Sequence, residues 1–399
     1  MAEGTGGVTL ARRGVLGLAT AAGLSACAGL PRLPAVPETL AQRADFPGIP
    51  GARFYVDEED AELLRWLQEQ QRRAAIARAA GRPDNPADVL VLSGGGEDGA
   101  FGAGLLTEWT GQGTRPEFRV VTGISTGALT APFAFLGPSR DAHLREVYTT
   151  IDISRVLAWR QWTAAVFDDA LGDSTPLAAT IARFVDAGML AEIAAAYDAG
   201  RLLLIGTTDL DARRGVIWNI GAIARSGSPQ ALELVRKVLL ASASIPGAFP
   251  PVMFDVEADG RRFQEMHVDG GAVAQLFLFP MRVAAAARAR EPKRAPTRVW
   301  VIRNGKLRPQ RQTTPRRTIA VLAATVSTLT QASGSYDVTR IWLRARGAGL
   351  AFHLAYVGED FAVPYETAFD PAYMRALFDY GQARMRAGTA WTSTPPAEA

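Results

Sequence analysis

The chain has 399 residues, 48% of them hydrophobic and 21% charged, with a formal net charge of +3. That balance fits a globular protein with a sizeable core and excludes a disordered or fibrous chain. The single cysteine, Cys27, excludes an intrachain disulfide; the three scattered histidines, His143, His267 and His353, offer no metal-ligand cluster, so neither metal nor cofactor is expected.

At the N-terminus, Arg12 and Arg13 precede a short apolar run from Gly14 to Leu24 that is too short to span a bilayer. The run ends in Leu24-Ser25-Ala26-Cys27, which resembles a bacterial lipobox. The expectation is a signal peptide over 1–26, cleavage before Cys27 and lipidation of Cys27. The paired arginines also fit a twin-arginine export signal, although no aromatic follows them. Ala28 is not the aspartate linked to inner-membrane retention, so an exported lipoprotein facing the periplasm is expected, with the outer membrane favoured. Residues 27–56 are rich in proline and read as a tether.

Residues 57–87 read as an N-terminal helical segment, with Leu63, Leu64 and Leu67 on one face, acid at its start and arginine at its end. From Asp88 strand-like and helix-like segments alternate. Val89 to Leu92, Phe118 to Val121, Leu202 to Ile205, Val216 to Trp218 and Val299 to Ile302 read as strands, and Ala100 to Trp109 and Ala128 to Leu136 as helices. The alternation predicts an α/β fold with helices on both faces of a sheet. Arg160 to Val185 and Arg316 to Gln331 read as helices, the second as a core helix rather than a membrane-contacting one. Arg308, Arg311, Arg316 and Arg317 lack interleaved aromatics. They read as solvated surface, with no nucleic-acid partner and a weak attraction to anionic lipid left open. Residues 283–391 are expected to be an α/β extension packed on the core, and 392–399 a disordered tail.

Three motifs carry chemistry. The first, Ser93 to Gly102, is a glycine-rich loop between a strand and a helix, able to present backbone amides of Gly94, Gly95 and Gly96 to a phosphate or an oxyanion. Gly94, Gly96 and Gly99 also satisfy the dinucleotide fingerprint, but the next strand runs into Thr122-Gly123-Ile124-Ser125 without the acid that holds a ribose. The second, Gly123-Ile124-Ser125-Thr126-Gly127, is a G-x-S-x-G between strand and helix, the context of a nucleophile turn, though a plain turn serine shares the pattern. The third, Val268-Asp269-Gly270-Gly271, is either a hairpin turn or a carboxylate held as a base. His353 lies in an alternating strand-like run and reads as structural. His267 shares a strand face with Asp269 and reads as packed or solvated.

In this order the motifs resemble the patatin-like phospholipase family. Further agreement comes from Ala241 to Pro251, from Thr207-Thr-Asp-Leu-Asp211 and from Trp218-Asn-Ile-Gly221. The resemblance spans Asp88 to Met281 and sets a core domain at 88–282. It implies a three-layer α/β/α fold with a central, mostly parallel sheet. It further implies a Ser125–Asp269 dyad without histidine, an oxyanion loop at Gly94, Gly95 and Gly96, and a phospholipid or other lipid acyl ester as substrate. The chain departs from the family where Arg or Lys commonly precedes the glycine matching Gly99: here Glu97 and Asp98 stand, expected to face solvent. That acidic pair supports the alternative, a non-catalytic lipoprotein that keeps the fold and binds lipid or a partner.

Overall fold

The computed structural model describes residues 30–57, 61–81, 87–159, 169–278, 297–311, 313–364 and 367–396. Residues 1–29, with the expected signal peptide and Cys27, lie outside these, as do 160–168, 279–296 and the last three residues. In chain order the elements are strand Arg53–Tyr55 (β1), helix Ala61–Ala79 (α1), strand Asp88–Leu92 (β2), helix Gly99–Gly111 (α2), strand Val120–Ile124 (β3), helix Thr126–Leu136 (α3) and helix Asp141–Thr150 (α4). A two-strand ladder of Ala158–Trp159 (β4) and Gly172–Asp173 (β5) follows, then helices Thr175–Phe184 (α5) and Ala187–Asp198 (α6). Next come strands Leu202–Asp209 (β6) and Arg214–Asn219 (β7), and helices Ile220–Arg225 (α7) and Ala231–Ser242 (α8). The last elements are strands Val252–Ala258 (β8), Arg261–Asp269 (β9) and Arg298–Arg303 (β10), helix Thr318–Gly347 (α9), strand Ala351–Tyr356 (β11) and helix Pro371–Arg386 (α10).

Nine described strands form one sheet in the order β1-β7-β6-β3-β2-β10-β11, with β9 pairing β6 and β8. The run β6-β3-β2-β10-β11 is parallel throughout. Those strands read as unbroken apolar runs because both of their faces are covered. Leu90, Leu92, Leu203 and Ile205 point into a core shared with Phe101, Leu105, Ala131, Val238 and Phe378. Their neighbours in sequence point the other way. Leu202 and Leu204 meet Trp66 and Leu67 of α1, and Val91 and Leu354 meet Val338 and Ile341 of α9. The period-two alternation of each strand thereby supplies both interfaces of an α/β/α sandwich.

Four expectations change here. Residues 30–56 are tied to the domain rather than forming a free tether, although most side chains up to Arg43 stay exposed. Proline lacks an N–H but keeps its carbonyl: Pro34 accepts from Gln264 N at 2.9 Å, Arg32 reaches Asp211 at 3.0 Å, and β1 pairs with β7. Of the α/β extension expected over 283–391 to pack on the core, residues 297–391 are part of the core sheet itself, since β10 and β11 complete it beside β2. Thr392 bridges Leu354, so the tail is tied down at its start. Finally, the segment read as a core helix from Arg316 to Gln331 belongs to the longer α9. Most of its side chains up to Leu329 are exposed, and packing resumes in its second half. No helix among the described residues is long and apolar enough to cross a membrane.

Candidate active site

The site forms where β6 outruns its neighbour. Strand β3 ends with Ile124 beside Gly206, and β6 continues for three more residues. The edge left open is taken by β9, which sets Asp269 opposite Thr207. Ser125, next after Ile124, and Asp269 therefore arrive from two strands at the same stretch of one edge. Both are nearly closed to solvent, 6% and 4% exposed.

Ser125 sits in a forced turn, with φ 57° and ψ −128°, before α3 starts at Thr126. A non-glycine residue held there costs on the order of 1–3 kcal/mol and persists only when its surroundings enforce it. The flanking glycines show how. A Cβ on Gly127 would lie 2.5 Å from the Leu92 carbonyl oxygen, and one on Gly123 would lie 2.4 Å from that of Gly127. The turn is also pinned from α8: Ser125 N–H donates to Ser242 Oγ at 3.0 Å, and Ser242 Oγ–H donates to the Gly206 carbonyl at 2.7 Å. The Ser125 side chain stands at the N-terminus of α3, where the helix dipole favours negative charge.

Asp269 Oδ1 accepts from Gly271 N–H at 2.7 Å, while Oδ2 is buried without a fully formed hydrogen bond. Burial raises the Asp269 pKa to about 6; the Ser125 hydroxyl and the Gly271 amide, by hydrogen bonding, pull it part of the way back. A carboxyl in this state is a far better proton acceptor than a solvated aspartate.

The glycine loop closes over the pair. A Cβ on Gly94 would come within 3.1 Å of Ser125 Cβ. Gly95 has φ +150° and leaves room for the Asn304 carbonyl, which would be 2.1 Å from any Cβ. Of the three amides expected to face an oxyanion, that of Gly94 is engaged, donating to the Gln275 carbonyl at 3.3 Å. Those of Gly95 and Gly96 make no hydrogen bond among the described residues.

Of the acidic pair, Asp98 departs from the expectation that it faces solvent. Asp98 turns inward: Tyr373 donates to it at 2.8 Å, and burial lifts its pKa to about 6 against that hydrogen bond. The cation near the loop comes from elsewhere. Arg303, 3% exposed at the end of β10, donates to the Gly94 carbonyl at 3.1 Å and to Ser93 Oγ at 3.3 Å. Asn304 grips the same loop through Ser93 O at 3.0 Å. Sequence reading missed Arg303, Asn304, Gln275 and Ser242; only sheet pairing and helix packing bring them in, and no local motif announces them.

None of the histidines hydrogen-bonds Ser125 or Asp269 among the described residues. His353 stacks on Trp300 with ring centroids 3.9 Å apart, and His143 packs by Phe184. His267 is fully buried, between Thr207 Oγ1 at 2.9 Å and Glu265 at 3.2 Å. With Asp209 it forms a cluster of metal-ligand type, but Arg53, 2.6 Å from Glu265, already supplies the balancing charge.

Ser125 opens into an apolar pocket of about 850 Å³, mouth included, lined by Leu129, Phe133, Leu177, Ile181, Phe184 and Phe249 among others. Residues 90–284 match the family model "Patatin-like phospholipase". The chain carries a patatin-like phospholipase domain. Proteins of this family are generally lipid acyl hydrolases. The match ends before β10, so Arg303 and Asn304 join the candidate site from outside the matched segment. Among solved structures, the chain is similar to VipD from Legionella pneumophila, with 12% identity, 76% of this chain and 67% of that one covered, and a TM-score of 0.37. It is also similar to human GIVD cytosolic phospholipase A2, with 13% identity and a TM-score of 0.32. There the alignment covers 77% of this chain and 52% of the other, so this chain spans about half the length of that enzyme. No curated protein matches the sequence.

Proposed function

We propose that this chain is a serine acyl-ester hydrolase acting on phospholipids or related lipid acyl esters. The reading rests on one observation: a buried serine in a forced turn lines an apolar pocket and has a buried, proton-seeking aspartate beside it. Ser125 Oγ attacks the acyl carbonyl carbon as Asp269 takes the hydroxyl proton. The tetrahedral oxyanion is held by the Gly95 and Gly96 amides, each such donor lowering the barrier by about 2.7–4 kcal/mol. As the alkoxy group leaves, Asp269 returns the proton to it. A water then gives its proton to Asp269 and attacks the acyl-serine; as the fatty acid leaves, Asp269 returns that proton to Ser125 Oγ. The apolar pocket takes the acyl chain, which needs no polar partner along its length. Cys27, lipidated, anchors the enzyme facing the periplasm, with the outer membrane favoured.

A fluorophosphonate probe tests the reading. Wild-type protein should label covalently and release fatty acid from phospholipid vesicles, and Ser125→Ala should do neither while keeping its circular dichroism. Failure of folded wild type to label, or equal labelling of the variant, would overturn it.

A further inference from the structure

From Val321 to Tyr336, α9 carries a run of exposed apolar side chains that the site does not use. Leu322, Leu329 and Tyr336 are 60%, 66% and 67% exposed, with Val321 and Val326 beside them. Leu322, Leu329 and Tyr336 recur every seven residues, so they form one stripe, and Val326, four residues after Leu322, widens it. Among the described residues no neighbour buries this stripe: packing onto β10 and β11 begins with Val338, Ile341 and Ala345.

Topology fixes where the stripe points. Helix α9 connects parallel strands β10 and β11, so it runs against them, starting beyond their C-terminal ends. Its middle is tied to the end of β10: Gln331 Nε2 donates to the Lys306 carbonyl at 2.7 Å, and Arg303 donates to Gln331 Oε1 at 3.1 Å. Residues 318–330 therefore project past the edge that carries the glycine loop and Ser125, by roughly 20 Å at 1.5 Å per residue.

Charge completes the picture. Between Gly305 and Tyr336 there is no acidic residue, whereas Lys306, Arg308, Arg311, Arg316 and Arg317 precede or open the helix. The last four are exposed and make no ion pair among the described residues. A bare apolar stripe with basic residues at its base matches a surface that is apolar inside and negative outside. We infer that the projecting half of α9 with its arginines docks on an anionic lipid bilayer, lying in the headgroup region and turning the mouth of the Ser125 pocket toward the membrane. This contact is separate from any anchor at Cys27. It goes beyond the hydrolase reading, because binding is measured without turnover.

The test uses the full chain with Cys27→Ala, so that no acyl anchor can form, and Ser125→Ala, so that lipid is not consumed. Co-sedimentation should show binding to phosphatidylcholine vesicles containing phosphatidylglycerol, falling with added salt, and much weaker binding to phosphatidylcholine alone. Adding Leu322→Asp and Leu329→Asp should weaken binding at least about a hundredfold, from the apolar area withdrawn. Adding Arg316→Gln and Arg317→Gln instead should weaken it roughly thirtyfold. All four side chains are exposed, so thermal unfolding should be unchanged. Unaltered vesicle binding by the leucine variant overturns the inference. So does sedimentation velocity without lipid showing a dimer that the leucine variant turns into monomer, which would assign the stripe to a second copy of the chain.

Discussion

Replacing Asp269 by asparagine should end hydrolysis and yet raise stability at neutral pH, by an amount that itself depends on pH. Burial lifts the Asp269 pKa from 3.8 to about 6, the Ser125 and Gly271 hydrogen bonds notwithstanding. The folded state thus holds this proton more tightly than the unfolded chain does. The stability it contributes is fully present below pH 3.8 and is lost as pH rises through about 6. At 1.36 kcal/mol per pKa unit, the loss across that window is about 3 kcal/mol. An amide does not ionise and escapes it, whatever constant cost its own hydrogen bonding carries. Urea unfolding of wild type and Asp269→Asn, followed by tryptophan fluorescence at about pH 4 and about pH 8, isolates this quantity. The variant-minus-wild-type difference should grow in the variant's favour by roughly 2.4 kcal/mol between the two, because the unfolded carboxyl is already more than half ionised at pH 4. Other titrating groups, Asp98 included, are common to both proteins and cancel. A difference that does not change with pH would refute the reasoning, because it would mean that Asp269 ionises as freely folded as unfolded and that the site is not dry.

Gly127→Ala should destabilise the protein by about 3 kcal/mol or more in the same urea assay, because its Cβ would meet the Leu92 and Ser93 carbonyl oxygens at 2.5 and 2.6 Å, both backbone atoms with little freedom to move. Ser242→Ala removes the acceptor of the Ser125 amide and should cost about 1–3 kcal/mol of stability, with kcat falling more than KM changes as the turn loses its pin. Leu177→Trp narrows the apolar pocket and should lower kcat/KM for long-chain 4-nitrophenyl esters relative to butyrate by roughly tenfold or more; an unchanged ratio would mean that the acyl chain lies elsewhere.

The candidate site was legible where its chemistry is local. Gly123 and Gly127 can be read as flanks of a forced serine because only small residues survive that turn, and the Cβ clashes give the reason atom by atom. Asp269 was legible only through the order of the motifs. Its nearness to Ser125 depends on β6 extending beyond β3 and on β9 filling the vacated edge, a matter of strand register. Gly94 lay in a recognisable loop, but its amide is consumed by Gln275, a partner 181 positions later in the chain that no spacing rule reaches.

Taken alone, the amino-acid order determined the alternation that makes an α/β sandwich, because strand and helix periods are properties of neighbouring residues. It also determined the two short turns, because backbone sterics act within a few residues. The tertiary structure decided what depends on burial and on distant neighbours. Asp98 turns inward to Tyr373, the loop's cation is Arg303 from β10, and the proline-rich segment lies along a strand edge. Half of an apolar helix is left outside the core. Each follows from which surfaces the chain brings together to exclude water, and a pattern of residue types specifies that surfaces will be covered without specifying by what.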